Sequence, residues 1–375
     1  MTDELMTDTV PPANIATLSE LLKLSGSQYR LYDIGRLVSK LSKENFEKVE
    51  LNQLPYPTPA QGHACIAIAF WQKQSSQPYL WLLKLPLDER GLLNQGARNH
   101  LIAIIVEALG EDLTQETSKK QEELLNSNPY LFTPAQYKLA SLNSKIKVDL
   151  KQPPSEYFLP FKQYITQSLS SNISQNINQN INQSINKGSD WNNWQNVGVQ
   201  GITDFIARIK QDNHNELLLE ALPHLPDEVL SPVCSALENE QYPVALLDVL
   251  IDLLKNELKA SHKSLKATQL LRALSASSHH PHVKDFVEQL LSNEQVSSEL
   301  LITLSGRCWQ ALADEKILMC YFEHLLKHND LSLFTSIFKD LVTIPLLRPI
   351  AFQCIRSENR SPALAQAIGQ LFNQS

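Results

Sequence analysis

From Trp194 to the C-terminus of this 375-residue chain, no stretch alternates apolar and polar residues as a strand would. Apolar residues instead recur at helical intervals in short runs: Ile202, Phe205, Ile206 and Ile209; then Val229, Leu230, Val233, Cys234 and Leu237; then Leu247, Leu250, Ile251, Leu254 and Leu258. The pattern continues from Val283, Phe286 and Val287 to Leu364, Ile368 and Leu371. Each set lies along one side of a helix, and a side of that width has to be buried against a neighbour. Pro, Gly, Asn, Asp or Ser interrupts most gaps, which limits the helices to roughly 10–16 residues. Ser231-Pro232 and Ser361-Pro362 read as helix starts, a capping hydroxyl followed by a proline in the first turn. Short antiparallel helices either close into a bundle or stack in pairs, one pair every ~35–40 residues for HEAT-like repeats. An irregular HEAT-like α-solenoid over residues 191–375 is expected in preference to a globular bundle.

The first part of the chain is patterned differently. "ATLSELLKLSG" is a short amphipathic helix closed by Gly26. "QYRLYDIGR" is rich in β-formers, "LVSKLSKE" reads as a charged helical stretch, and "FEKVELNQ" alternates imperfectly. "HACIAIAFWQ" and "PYLWLLKLPL" flank the polar connector "KQSSQ", which is of hairpin length. Leu101, Ile104, Ile105 and Leu109 mark the next helix, and Thr133-Pro134 reads as the N-cap and first residue of another. The expectation is an α+β domain over residues 16–154, a small antiparallel sheet with helices on one face, after a disordered start at 1–15.

A connecting helix is expected over 155–170, followed by a low-complexity linker over 171–190. The tract "SNISQNINQNINQSIN" places Ile at 173, 177, 181 and 185, in register with Phe161, Ile165 and Leu169. A period of four drifts by about 40° per step against 3.6 residues per turn, so no single neighbour could bury the whole stripe. A helix end, then a marginal helical or disordered extension, then a hinge before Trp191 is the expected order.

Composition excludes several classes. The net charge is −7, and residues 193–375 hold 15 Lys or Arg against 21 Asp or Glu. Neither half offers the basic face that phosphate backbones require, so no nucleic-acid partner is expected. The longest apolar run, "ACIAIAFW", is far short of the ~20 residues that span a bilayer, so no membrane insertion is expected. The acidic, polar start lacks a secretory pattern, which makes cytoplasmic location the expectation. Five widely spaced cysteines, Cys65, Cys234, Cys308, Cys320 and Cys354, form no disulfide framework.

Candidate chemistry is sparse. Phosphate-cradling glycine motifs, GxSxG and CxxC are all missing. The densest polar group, Lys84, Asp88, Glu89 and Arg90 with Arg98 beyond it, follows an apolar strand and could line a ligand cleft. A solvated turn accounts equally for Asp88, Glu89 and Arg90. Lys84 stands apart, because it shares the alternation parity of Leu80 and Leu82 and would need a partner on an apolar face. His279, His280 and His282 lack a fixed carboxylate or thiolate. Cys320, His324 and His328 at four-residue steps drift around their helix, so neither set is expected to hold a metal, and no cofactor is expected. Trp71, Trp81, Trp191 and Trp194 read as core and interdomain anchors.

"LYDIGR" at 31–36, "YPTPAQGHACIAIAFW" at 56–71, "YLWLLKLPLDERGLL" at 79–93 and "WQNVGVQGITDF" at 194–205 resemble an uncharacterised bacterial family of unknown function. The resemblance implies no activity and no catalytic residue; the acidic start and the Ile/Asn/Gln tract look like departures from its pattern. Taken with the helical stripes, the leading expectation is a non-enzymatic interaction or scaffold protein whose helical-repeat surface binds another protein. The alternative is an enzyme or small-ligand binder with a cleft near residues 84–98.

Overall fold

The computed structural model of the chain describes residues 15–72, 78–109, 113, 118–178, 190–261 and 264–373. The connector "KQSSQ" (73–77), all but one residue of the expected disordered start, and most of the Ile/Asn/Gln tract lie outside the described residues.

Four strands form one antiparallel sheet in the order β2-β1-β3-β4: β1 Gln28–Asp33, β2 Ser39–Leu41, β3 His63–Trp71 and β4 Tyr79–Pro86. β3 and β4 pair with Cys65 opposite Lys84 and Ala67 opposite Leu82. Alternation then divides β3 into a bulky face, Ile66, Ile68 and Phe70, and a small one, Cys65, Ala67 and Ala69. The bulky face packs beneath α1 (Leu18–Leu24), α2 (Lys43–Glu50) and α3 (Gln95–Leu109), with the exposed α4 (Lys119–Asn126) at the rim.

Two short segments exchange the roles expected of them. "LVSKLSKE" contributes β2, and helix α2 starts at Lys43 because the Ser42 hydroxyl accepts from Asn45 N at its first turn. Phe46, Val49 and Glu50 then face inward at helical rather than strand spacing. Helices also cover both faces of the sheet instead of one, for α5 (Gln136–Asp149) lays Leu142 and Ile146 on the small-residue face beside Tyr32, Ala67 and Ala69.

Helix α6 (Phe158–Asn178) runs eight residues past the expected end at 170, carrying the first part of the tract with it. The chain returns at Trp191, whose carbonyl accepts from Tyr164 of α6 at 2.7 Å. Among the described residues eleven α-helices follow: α7 (Val199–Ile206), α8 (His214–Ala221), α9 (Asp227–Leu237), α10 (Val244–Ala260), α11 (Leu265–Ala273), α12 (Pro281–Ser292), α13 (Ser298–Gly306), α14 (Glu315–Lys327), α15 (Leu331–Val342), α16 (Arg348–Arg356) and α17 (Pro362–Asn373). Ser264, Ser297, Asp314 and Asp330 cap α11, α13, α14 and α15 as side-chain acceptors. Ser361-Pro362 opens α17, whereas Pro232 lies inside α9, which starts at Asp227 after Pro226. Acidic Asp227 and Glu228 in the first turn of α9 suit its dipole.

Contacts step from each helix to the next but one. One row is α5, α7, α9, α11, α13, α15; the other is α6, α8, α10, α12, α14, α16. A single apolar core running from Phe158 to Leu371 lies between them. α5 therefore belongs to both parts, covering the sheet and starting the odd-numbered row.

The head, meaning the sheet and its helices, rests on that odd row through the segment after β1. Arg36 is 4% exposed; its Nε donates to Pro59 O at 2.7 Å, its Nη2 to Asp340 of α15 at 2.7 Å and its Nη1 to Ser305 O of α13 at 3.2 Å. The guanidinium also lies 5.5 Å from the Trp309 ring centre. Two residues on, Val38 N donates to Asn239 Oδ1 at 2.7 Å, and Asn239 Nδ2 reaches Ser141 of α5. A buried cation with four partners fixes where the head sits.

Candidate functional site

Where β1 ends, the chain turns out of the sheet. Asp33 Oδ1 accepts from Tyr56 OH at 2.7 Å and from Gly35 N at 3.2 Å, and burial pushes this carboxyl up to about 6. A Cβ on Gly35 would stand 3.1 Å from Ala60 Cβ and 3.2 Å from Asp33 Oδ1, so a larger residue there would push these neighbours aside by a few tenths of an ångström. Three successive carbonyls then face cations: Ile34 O and Gly35 O accept from Lys138 Nζ, and Arg36 O accepts from Arg307 Nη1.

Between this turn and the odd row lies a cleft of about 620 Å³. Cys65 and Lys84, neighbours across β3 and β4, form its floor. One wall is the start of α5, with Tyr137 and Lys138; the other is Arg272 of α11 with Ile302 and Arg307 of α13. Five cationic side chains line it, Arg36, Lys84, Lys138, Arg272 and Arg307, against one carboxylate, Asp340. In a chain of net charge −7 this is a local inversion of sign.

The cations differ in what they have left to offer. Arg36 is fully engaged, as described above. Arg272 gives Nε and Nη2 to the buried Glu238 and stacks 4.4 Å over the Tyr137 ring. Arg307 holds the Arg36 carbonyl, donates to Tyr137 OH at 3.0 Å and lies 3.7 Å from Glu238. Lys138 has only carbonyl partners; burial, with the Arg307 charge adding to it, pushes its ammonium down to about 8. Lys84 is half-buried, and its ammonium has no hydrogen bond or ion pair among the described residues.

The first turn of α5 supplies further donors. Thr133-Pro134 does not cap it; the helix starts at Gln136 after Ala135, with no side-chain acceptor. The preceding residues are held along β4 instead, Lys84 N donating to Tyr130 O at 2.7 Å and Phe132 N to Leu82 O at 3.2 Å, which delays the helix by two residues. Lys138 N and Leu139 N both donate to Ala135 O, so the uncapped start leaves the N–H groups before them without a side-chain acceptor, with the positive dipole end at the cleft wall. Cys65 is not a nucleophile here, since burial pushes its thiol up to about 11.

Of the five residues singled out in the sequence, only Lys84 reaches this cleft. Asp88 accepts from Arg90 N at 2.9 Å and Leu92 N at 2.8 Å and pairs with the Arg90 side chain at 3.3 Å, so both shape an exposed turn. Glu89 is exposed, and its carbonyl accepts from Arg348 of α16 at 2.8 Å. Arg98 is buried beneath the bulky sheet face, where it donates to the Glu50 carbonyl at the end of α2. Arg36, Lys138, Arg272 and Arg307 were not singled out. The helical spacing of Ala267, Leu270, Leu271 and Leu274 would have placed α11, and with it Arg272.

The histidine sets serve the helices. His324 Nε2 donates to Leu291 O at 2.7 Å and His328 Nε2 to Val296 O at 2.9 Å, while Cys320 Sγ reaches Leu291 O at 3.4 Å. Together they tie α14 to the end of α12 and to the loop that follows it. His280 caps α12, and His282 pairs with Asp248 at 2.7 Å. Among the described residues, no three His, Cys, Asp or Glu side chains are grouped to hold a metal. A second cleft of about 570 Å³ opens on the other side of the Arg36–Val38 segment. Two of its cations are already paired, Lys40 with Asp149 at 2.9 Å and Lys145 with Glu240 at 2.7 Å.

The fold and the cleft define a protein in which an α+β head packs on a two-row helical array, with a cationic cleft between them. The chain belongs to the family described as "Protein of unknown function (DUF3549)", which matches residues 13–372 and thus spans both parts. No curated protein and no solved structure matches it. Among the described residues, no helix is long and apolar enough to cross a membrane.

Proposed function

We propose that this protein is a non-enzymatic binding protein that seats an anionic ligand in the Lys84 cleft, between head and array. The observation that carries the reading is the Lys84 ammonium, half-buried beside Cys65 at the cleft floor, without a partner among the described residues, and sharing the cleft with four other cations. Removing part of an ammonium's hydration without a counter-charge is costly, and an anion in the cleft supplies that charge. The neutral Cys65 thiol and the engaged carboxylates favour binding over bond-making. Free cysteines suit a reducing compartment, so a cytoplasmic site of action belongs to the reading.

The test is a thermal-melt and calorimetric series with inorganic phosphate, citrate and a Glu-rich peptide, on wild type and Lys84→Glu. At least one anion should raise the melting temperature at 1:1 stoichiometry, and Lys84→Glu should weaken it tenfold or more with the unliganded melt unchanged. Failure of all three anions to bind, or equal binding by the variant, overturns the reading.

A second reading has the array dock another protein. The two-row contact pattern supports it, being the stacking expected of an irregular HEAT-like solenoid. Because the odd row already carries the head, such a partner would engage the even row.

A further inference from the structure

The donors left free in the cleft narrow the class of anion. A carboxylate is matched best by a guanidinium fork, two parallel N–H groups meeting two coplanar oxygens. Each such fork here is committed: Arg272 to Glu238, Arg36 to Asp340 and two carbonyls, Arg307 to a carbonyl, a phenol and Glu238. What remains is of another kind. Lys84 offers a compact ammonium from the sheet, Lys138 a second from α5, and the uncapped first turn of α5 its backbone N–H groups. These come from separate directions and carry more than one unit of positive charge, an arrangement suited to a tetrahedral dianion with three terminal oxygens.

The lining also has apolar members among the polar Gln61, Thr268, Gln269 and Thr303. Phe132 and Pro134 stand beside the α5 start, and Ile302 projects from α13 with 47% of its surface exposed, a large apolar side chain at the cleft rim. A volume of about 620 Å³ exceeds what a bare anion needs and lies in the range of small-molecule sites.

We infer that the ligand is a small organic phosphomonoester, its phosphate held by Lys84, Lys138 and the first turn of α5, and its apolar body resting on Phe132, Pro134 and Ile302. This rests on the anion-binding reading above and adds the phosphate and the apolar body to it. No bond is made or broken.

Calorimetric titration of the full chain with phenyl phosphate, inorganic phosphate and benzoate tests it. Phenyl phosphate should bind at least tenfold more tightly than benzoate and severalfold more tightly than inorganic phosphate. Lys84→Ala should lower phenyl phosphate affinity at least tenfold. Ile302→Ala, a change at an exposed position, should bring phenyl phosphate down toward inorganic phosphate without altering the melt of the free protein. If benzoate equals or exceeds phenyl phosphate, or if citrate or the Glu-rich peptide binds where both phosphates fail, the phosphomonoester inference falls and the anion-binding reading stands. Absence of binding by every anion overturns both.

Discussion

The two faces of the four-stranded sheet come from the same strands and end in opposite states. On one face Ile66, Ile68 and Phe70 of β3 with Leu83 and Leu85 of β4 meet α1, α2 and α3 in a sealed core. On the other, Cys65, Ala67 and Ala69 let α5 pack on the sheet, and the strand end carrying Cys65 and Lys84 opens onto the cleft. Side-chain size on alternate residues of one strand therefore decides which face is closed by its own helices and which is shared with the helical array. The site proposed at this boundary leaves the sealed face untouched.

The largest expected effect is on the sealed face. Phe70→Ala should destabilise the protein by about 3–5 kcal/mol in chemical denaturation, the usual cost of emptying a large buried site. Ala67→Leu on the other face should cost about 1–3 kcal/mol by overpacking against α5. A neutral Ala67→Leu would mean that α5 does not press on the sheet, and the comparison would break. Next comes the seam: Arg36→Met strips Asp340 Oδ2 of its guanidinium and two carbonyls of their donor and should cost about 3 kcal/mol. Hydrogen exchange should rise at residues 35–41 and at the end of α13, while the bulky sheet face stays protected.

A smaller effect follows from Lys138. Its folded-state value is depressed to about 8 from an ordinary 10.5, with Arg307, Glu238, Asp33 and Cys65 as the charged or titratable groups around it. Between those two values the unfolded chain holds more protons than the folded one, so stability should rise with pH across that window. Lys138→Met should remove the rise. Anion affinity should fall as pH passes 8 and Lys138 loses its charge. The smallest effect is on stability in Lys84→Ala, within about 0.5 kcal/mol, since among the described residues the side chain has no partner to lose. A large loss there would show that Lys84 holds the fold.

Much of this was legible in the sequence, and the misses have physical causes. The β3–β4 pairing, the parity of Lys84 with Leu80 and Leu82, and most of the helical stripes could be read from local periodicity. β2 and α2 stand in exchanged places because a three-residue strand carries too little pattern to tell from a helix, and the start of α2 is marked only by the Ser42 hydroxyl. The start of α5 lies two residues later than Thr133-Pro134 implies because Tyr130 and Phe132 are held by β4, a non-local pull that no capping rule contains. The cleft itself was the least legible. Arg36, Lys138, Arg272 and Arg307 are separated by 102, 134 and 35 positions in the chain and meet only because the head packs on the odd row. A net charge of −7 conceals such a cluster, which averaging over either half of the chain erases.

Hydrogen exchange on the full chain, with citrate and with phenyl phosphate each in turn, tests most directly whether head and array jointly bind an anion. The account predicts slowed exchange at two places together, the start of α5 around residues 133–139 and the end of α13 around 302–308, with both effects lost in Lys84→Glu. Slowing on one side alone, slowing at a distant surface, or an unchanged footprint in Lys84→Glu would contradict it.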